Sequence, residues 1–145
     1  MRKEPDATVL AFDFGTRRIG VAVGNTLTRT AHPLQTIDAP RAAQRSAAIA
    51  AIIDEWRPSQ LVVGLPVHAD GTEHPMSARA RDFARELERH HRLPVALVDE
   101  RWTSEIARRQ LTQSGRGGRA DRGLRDQLAA QIILQAWFDE PQHDP

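Results

Sequence analysis

The chain has 145 residues, with 20 basic and 19 acidic side chains, six histidines and a formal net charge of +1. That length suits a single domain with a core of its own. The absence of cysteine excludes disulfides and thiolate-held zinc or iron–sulfur clusters, so any metal must sit on oxygen or imidazole ligands, and hard oxygen donors favour magnesium or manganese.

The first ten residues, MRKEPDATVL, lack the apolar core of a signal peptide. No run approaches the ~18 apolar residues of a membrane span. The expectation is a soluble cytoplasmic protein with no membrane partner. Residues 9–14 and 19–24 are apolar runs on either side of the turn-like GTRR, which predicts a β-hairpin. HPLQTI, residues 32–37, reads as a third strand that Pro33 confines to an edge or a strand start.

Ile49, Ile52, Ile53 and Trp56 then recur at helical spacing within residues 41–56, and Pro58 ends that helix. LVVGL (61–65) has the continuous apolar character of a strand buried on both faces. After the loop PVHADGTEHP, Met76, Ala80, Phe83 and Leu87 mark one face of a second helix. PVALVD (94–99) is another buried strand, and TSEIARRQL opens a short helix with Thr103 or Ser104 as its N-cap. A Gly/Arg-rich loop at 113–122 leads to a last helix over 124–139.

The order β-β-β-α-β-α-β-α-α predicts an α/β fold: a mixed five-stranded sheet, three antiparallel strands then parallel ones, flanked by helices. In such sheets, sites form at the carboxyl ends of the strands. One domain is expected over 1–145, with its core over 8–139, a basic loop over 113–122 and short tails.

Three positions carry acids that this pattern does not require. Asp13 ends the first strand, Asp99 and Glu100 end the last, and Asp126 lies in the first turn of the final helix. Each has an ordinary explanation alone, as a turn residue or as a complement to a helix N-terminus. Asp126, however, shares its helix face with Ala129, Ala130 and Ile133, which places it beside the sheet. An unpaired carboxylate there costs several kcal/mol, by the usual order of magnitude. Three converging acids repel one another, and a divalent metal, the common agent of phosphate chemistry, would reconcile them. Between Gln113 and Arg125, four arginines (116, 119, 122 and 125) stand against the single acid Asp121, either as phosphate contacts or as a solvated loop.

Taken in order, FDFGTRRIGVAVGN, LVVGLPVHADGTEHPMSARARDFA, VALVDERWTSEIA and RDQLAAQIIL resemble the YqgF family, over residues 8–139. Its members are also called RuvX, and they carry two activity names, pre-16S rRNA nuclease and Holliday junction resolvase. The resemblance implies an RNase H-like fold and a nuclease with Mg2+ or Mn2+ on Asp13, Glu100 and Asp126, which would be both metal ligands and catalytic groups. Asp99 ranks below Glu100 because a continuing strand points it the other way. Asp70 in the ADGT loop and His68 beside it are secondary candidates.

For such a nuclease, Gly15 lets the backbone turn tightly beside a phosphate, and Thr16 offers it a hydrogen bond. Arg17 and Arg101 border the acids as phosphate clamps or balancing charges. Arg116, Arg119 and Arg122 supply contacts to the nucleic-acid backbone that are independent of sequence. Helical spacing puts Trp56 and Trp137 in the core, while Trp102, directly after the acid motif, is placed to stack on a base.

The expected reaction is 5′ processing of pre-16S rRNA, with ribosomal particles as further partners and a monomer favoured over a homodimer. The alternatives are cleavage of branched DNA as a junction resolvase, or a non-catalytic RNA-binding or transcription-associated role. DFGTRRIG also resembles the first phosphate loop of actin-like and sugar kinases, but those need a second domain that 145 residues do not accommodate.

Overall fold

Thr8–Phe14 (β1) and Arg18–Asn25 (β2) form the expected hairpin, paired antiparallel from Thr8 opposite Asn25 to Phe14 opposite Ile19. The structure, a computed structural model, describes residues 7–38, 41–67, 70, 72, 74–100 and 122–140. Thr30–Asp38 (β3) adds antiparallel to the outer side of β2, with a register shift at Val21/Ala22 that leaves Leu34 as the extra residue. Gln60–Leu65 (β4) pairs parallel to β1, and Val95–Asp99 (β5) pairs parallel to β4, giving the order β3-β2-β1-β4-β5. Pro33 therefore sits on an edge strand, where its missing N–H costs no central ladder bond.

Side-chain alternation divides the sheet into two faces. Leu10, Phe12, Ile19, Val21, Leu61 and Val63 face Ala42–Trp56 (α1) and Ser77–His91 (α2), which add Ile49, Ile52, Ala80, Ala84 and Leu87. Val9, Ala11, Ala22, Val62 and Val98 face Arg122–Asp139 (α3), which adds Ala130, Ile133, Leu134 and Phe138. Each of α1 and α2 ends on an arginine in the left-handed conformation, Arg57 and Arg92, whose N–H caps the carbonyl of Ile53 or Glu88. Pro58 and Pro94 follow shortly after and cannot continue a helix. Ser77, fully buried at the start of α2, donates to the Pro66 carbonyl and accepts from the His74 N–H, which ties the β4–α2 loop to the helix.

Helix α3 lies close on β2 because, beyond Arg18, that strand shows it only the small residues Gly20, Ala22 and Gly24. A Cβ on Gly20 would fall 2.0 Å from the Asp126 carbonyl oxygen, and one on Gly24 would fall 2.6 Å from the Phe138 ring. Three glutamines, one turn apart, fix the position of α3 along the edge strand. Gln127 donates to Thr36 Oγ1 (3.2 Å), Gln131 donates to the Ala31 carbonyl (2.9 Å), and Gln135 accepts from the Ala31 N–H (3.1 Å). The side chains thus cover backbone groups that an edge strand would otherwise leave open.

Three expectations change. The strand expected to be buried at 94–99 is the other edge of the sheet: in β5 only Val98 is buried and Leu97 is 43% exposed, because no strand covers its outer side among the described residues. Trp56 is 36% exposed, not core: it is the last residue of α1 and lines an open cleft beside Val23, Pro33 and Leu34. Arg18, expected in the turn, begins β2, so only residues 15–17 bridge the hairpin. The helix expected from Thr103 and the basic loop at 113–121 lie outside the described residues. No helix among the described residues is long and apolar enough to cross a membrane.

Candidate functional site

Asp13 follows Val9 and Ala11 at every second position of β1, so its side chain projects onto the α3 face at the carboxyl end of the strand. Glu100 follows Val98 in the same way, and its N–H donates to the Leu65 carbonyl (3.1 Å), extending the β4–β5 ladder by one residue. Between these strands stands Gly64 of β4. A Cβ there would come within 2.7 Å of Glu100 Oε2 and 2.4 Å of Ile133 Cδ1. The glycine opens a gap across which the two acids meet in a hydrogen bond.

Burial, then the negative charge of Asp126, pushes the Asp13 carboxyl up from 3.8 to about 7, while the hydrogen bond with Glu100 works in the opposite sense. Glu100 is pushed up from 4.5 to about 8 by burial first, then by the charges of Asp13 and Asp99 and by the same hydrogen bond. Both carboxyls are thus pushed toward keeping a proton near neutral pH, in a hydrogen bond that joins them.

Asp126 comes down onto this face from α3, held by the close contact at Gly20. Its Oδ2 accepts a 2.7 Å hydrogen bond from Arg18 Nε, in a partly buried ion pair whose side chains are 33% and 20% exposed. The bond and the charge of Asp126 raise the Arg18 pKa further, so the guanidinium stays charged. Sequence reading missed Arg18, because a turn residue has no face. Its place in β2, in step with Gly20 and Ala22, is what aims it at α3.

The other expected residues are spread more widely. Asp99 is exposed and points away from the α3 face, acting on Glu100 through charge. Gly15 turns between β1 and β2, where a Cβ would meet the Arg18 carbonyl at 2.6 Å. Thr16 and Arg17 are exposed in that turn, and the Thr16 carbonyl accepts from Arg45 Nη1 (3.2 Å). Arg45 also lies over the Phe14 ring, 6.0 Å from its centroid, a support the sequence did not signal. Asp70 closes a local turn by accepting from the N–H and hydroxyl of Thr72 (3.0 and 2.7 Å). Arg122 opens α3. His68, Arg101, Trp102, Arg116 and Arg119 lie outside the described residues. A cleft of about 530 Å3 between α1 and α2 is lined by Phe14, Arg45, Arg79 and Phe83, on the face opposite the acids.

The donor set fits a hard cation. Two carboxyls meet in a hydrogen bond, the acids brought together among the described residues are oxygen donors, and the charge of a third acid reaches Asp13. Among the described residues no three His, Asp or Glu side chains are grouped closely enough to hold an ion, and Asp126 is engaged by Arg18 instead.

The model of the family described as "RuvX: Holliday junction resolvase" matches residues 7–140. The chain belongs to the RuvX family. Relatives named "Putative pre-16S rRNA nuclease" include that of Chromobacterium violaceum, 55% identical over 91% of this chain and 97% of its own. That of Nitrosomonas europaea is 54% identical over 96% and 94%, and that of Dechloromonas aromatica 52% identical over 94% and 93%. Among solved structures, Thermus thermophilus RuvC in complex with Holliday junction substrate matches with a TM-score of 0.53 at 16% identity, over 91% of this chain and 93% of that one. That likeness shows the fold, so this RuvX-family chain has the RNase H-like architecture expected from its motifs.

Proposed function

We propose that this chain is a metal-dependent nuclease acting on structured nucleic acid, and that its reaction is 5′ processing of pre-16S rRNA. The observation that carries the reading is the partly buried, hydrogen-bonded Asp13–Glu100 pair at the carboxyl ends of β1 and β5. Two acids in a position that destabilises their charge are costly in a scaffold and useful in a site for a divalent cation. The names of relatives at 52–55% identity support RNA as the substrate class.

Asp13 and Glu100 would hold the cation, and Asp126 would complete the set. A divalent cation in such a site lowers the pKa of the attacking water and neutralises charge on the leaving oxygen. The chain's own part is to orient the scissile phosphate. The turn at Gly15 gives it a close backbone approach, Thr16 a hydroxyl donor and Arg17 a cation. Arg101, Arg116, Arg119 and Arg122 would hold the flanking backbone, with affinity that falls steeply as salt rises.

The description of the family itself favours a second reading, cleavage of a four-way DNA junction, which calls for two active sites related by a two-fold axis. The test sets purified protein with Mg2+ or Mn2+ against a 16S precursor fragment and, in parallel, a four-way junction. Cutting of the precursor that is lost in Asp13→Asn supports the first reading. Cutting of the junction alone supports the second. Neither cutting nor calorimetric binding of either cation leaves the non-catalytic RNA-binding role.

A further inference from the structure

We infer that Arg18 is a displaceable counter-ion for Asp126: it neutralises this acid in the metal-free protein and yields it to the cation on binding. The inference rests on the metal-site reading above. Asp13 and Glu100 are hydrogen-bonded to each other, whereas Asp126, among the described residues, is hydrogen-bonded by Arg18. Its neutralisation comes from the guanidinium 2.7 Å away. Asp126 is close enough for its charge to push Asp13 upward, yet it does not join Asp13 and Glu100 in a three-acid group.

The backbone leaves a side-chain rotation as the simplest route between the two arrangements. Gly20 and the Asp126 carbonyl are already in contact, and the glutamines above them are bonded to β3, so helix and strand have little freedom to shift. Rotation of the Asp126 carboxylate about its own side-chain bonds exchanges Arg18 for the cation. Arg18, a third exposed, keeps its charge after the exchange and lies beside the site. A purely structural ion pair would need no such exchange, and it would leave cation affinity indifferent to Arg18.

The test is titration calorimetry of Mn2+ into wild type, Arg18→Gln, Asp126→Asn and the double variant, with no nucleic acid present. Loss of a charge-assisted hydrogen bond that competes for Asp126 tightens Mn2+ binding by about tenfold in Arg18→Gln. In the Asp126→Asn background the same replacement changes the affinity less than about twofold, because the contested ligand is gone. Arg18→Lys, which retains the charge and loses the Nε contact, falls between wild type and Arg18→Gln and serves if Arg18→Gln does not fold.

Unchanged or weaker Mn2+ binding in both Arg18 variants overturns the inference, since Arg18 would then be indifferent or would position Asp126 as a ligand. Equal tightening with and without Asp126 overturns it too, since the effect would be a general change of charge. If no form of the protein binds Mn2+, the metal-site reading fails instead. The two failures are distinct.

Discussion

Replacing Asp13 by Asn should flatten the pH dependence of stability in the metal-free protein. In the fold, Asp13 and Glu100 are pushed up from 3.8 and 4.5 to about 7 and about 8, chiefly by burial. The folded chain therefore binds more protons than the unfolded chain between those limits. Their contribution to stability is complete below about pH 4 and is lost as the pH rises through 7 to 8. One pKa unit is worth about 1.4 kcal/mol, so the part of the Asp13 shift that lies above pH 5 corresponds to a loss on the order of 3 kcal/mol, to which Glu100 adds. For a chain of this size each kcal/mol moves the melting temperature by roughly 2–4 °C, so the wild type should lose at least roughly 5–10 °C between pH 5 and pH 8.5. Asp13→Asn removes one of the two titrating acids and should lose less, since only Glu100, still raised by burial, then remains. Thermal melts in chelator, across that range, read both slopes. Identical slopes in wild type and variant would refute the reasoning, since histidines and surface groups are common to both.

Three further outcomes follow from the packing. Gly64→Ala places a methyl 2.4 Å from Ile133 Cδ1 and 2.7 Å from Glu100 Oε2, so urea unfolding should show a loss of about 1–3 kcal/mol, together with weaker Mn2+ binding. Ile133→Ala, at a fully buried position on the same face, should cost about 2–5 kcal/mol in the same assay. Ser77→Ala leaves the Pro66 carbonyl and the His74 N–H without their shared partner in a buried setting, and should lower stability by about 1–3 kcal/mol.

Much of the architecture can be read in the sequence because it is periodic. The apolar runs of β1 and β4 mark strands buried on both faces, the spacing of Ala129, Ala130 and Ile133 marks a helix face, and those faces are the ones the fold buries. Asp13 and Asp126 inherit theirs from the same periodicity. What the sequence hides is pairing over long separations. Arg18 and Asp126 are 108 positions apart, and nothing local distinguishes this arginine from Arg17, which is exposed in the turn. The glutamine row of α3 looks like an ordinary polar face until β3 is laid beside it. Trp56 satisfies the helical spacing and still ends outside the core, because spacing gives direction without saying how closely the facing surface packs.

The place of Gly64 between the acids also bears on which acid can stand at each position. Asp13 and Glu100 grow from strands with β4 between them, and the register sets Glu100 two residues beyond the point level with Asp13, so more than two strand spacings, over about 9.5 Å, separate their backbones. Sheet hydrogen bonding fixes that span, and the side chains must bridge it. An aspartate at each end would fall short, and the extra methylene of Glu100 supplies about 1.5 Å of reach. Glu100→Asp, which conserves charge and pKa class, would open the pair like a clasp cut one link short. The spacing of a β-sheet thus acts here as a gauge that selects glutamate over aspartate.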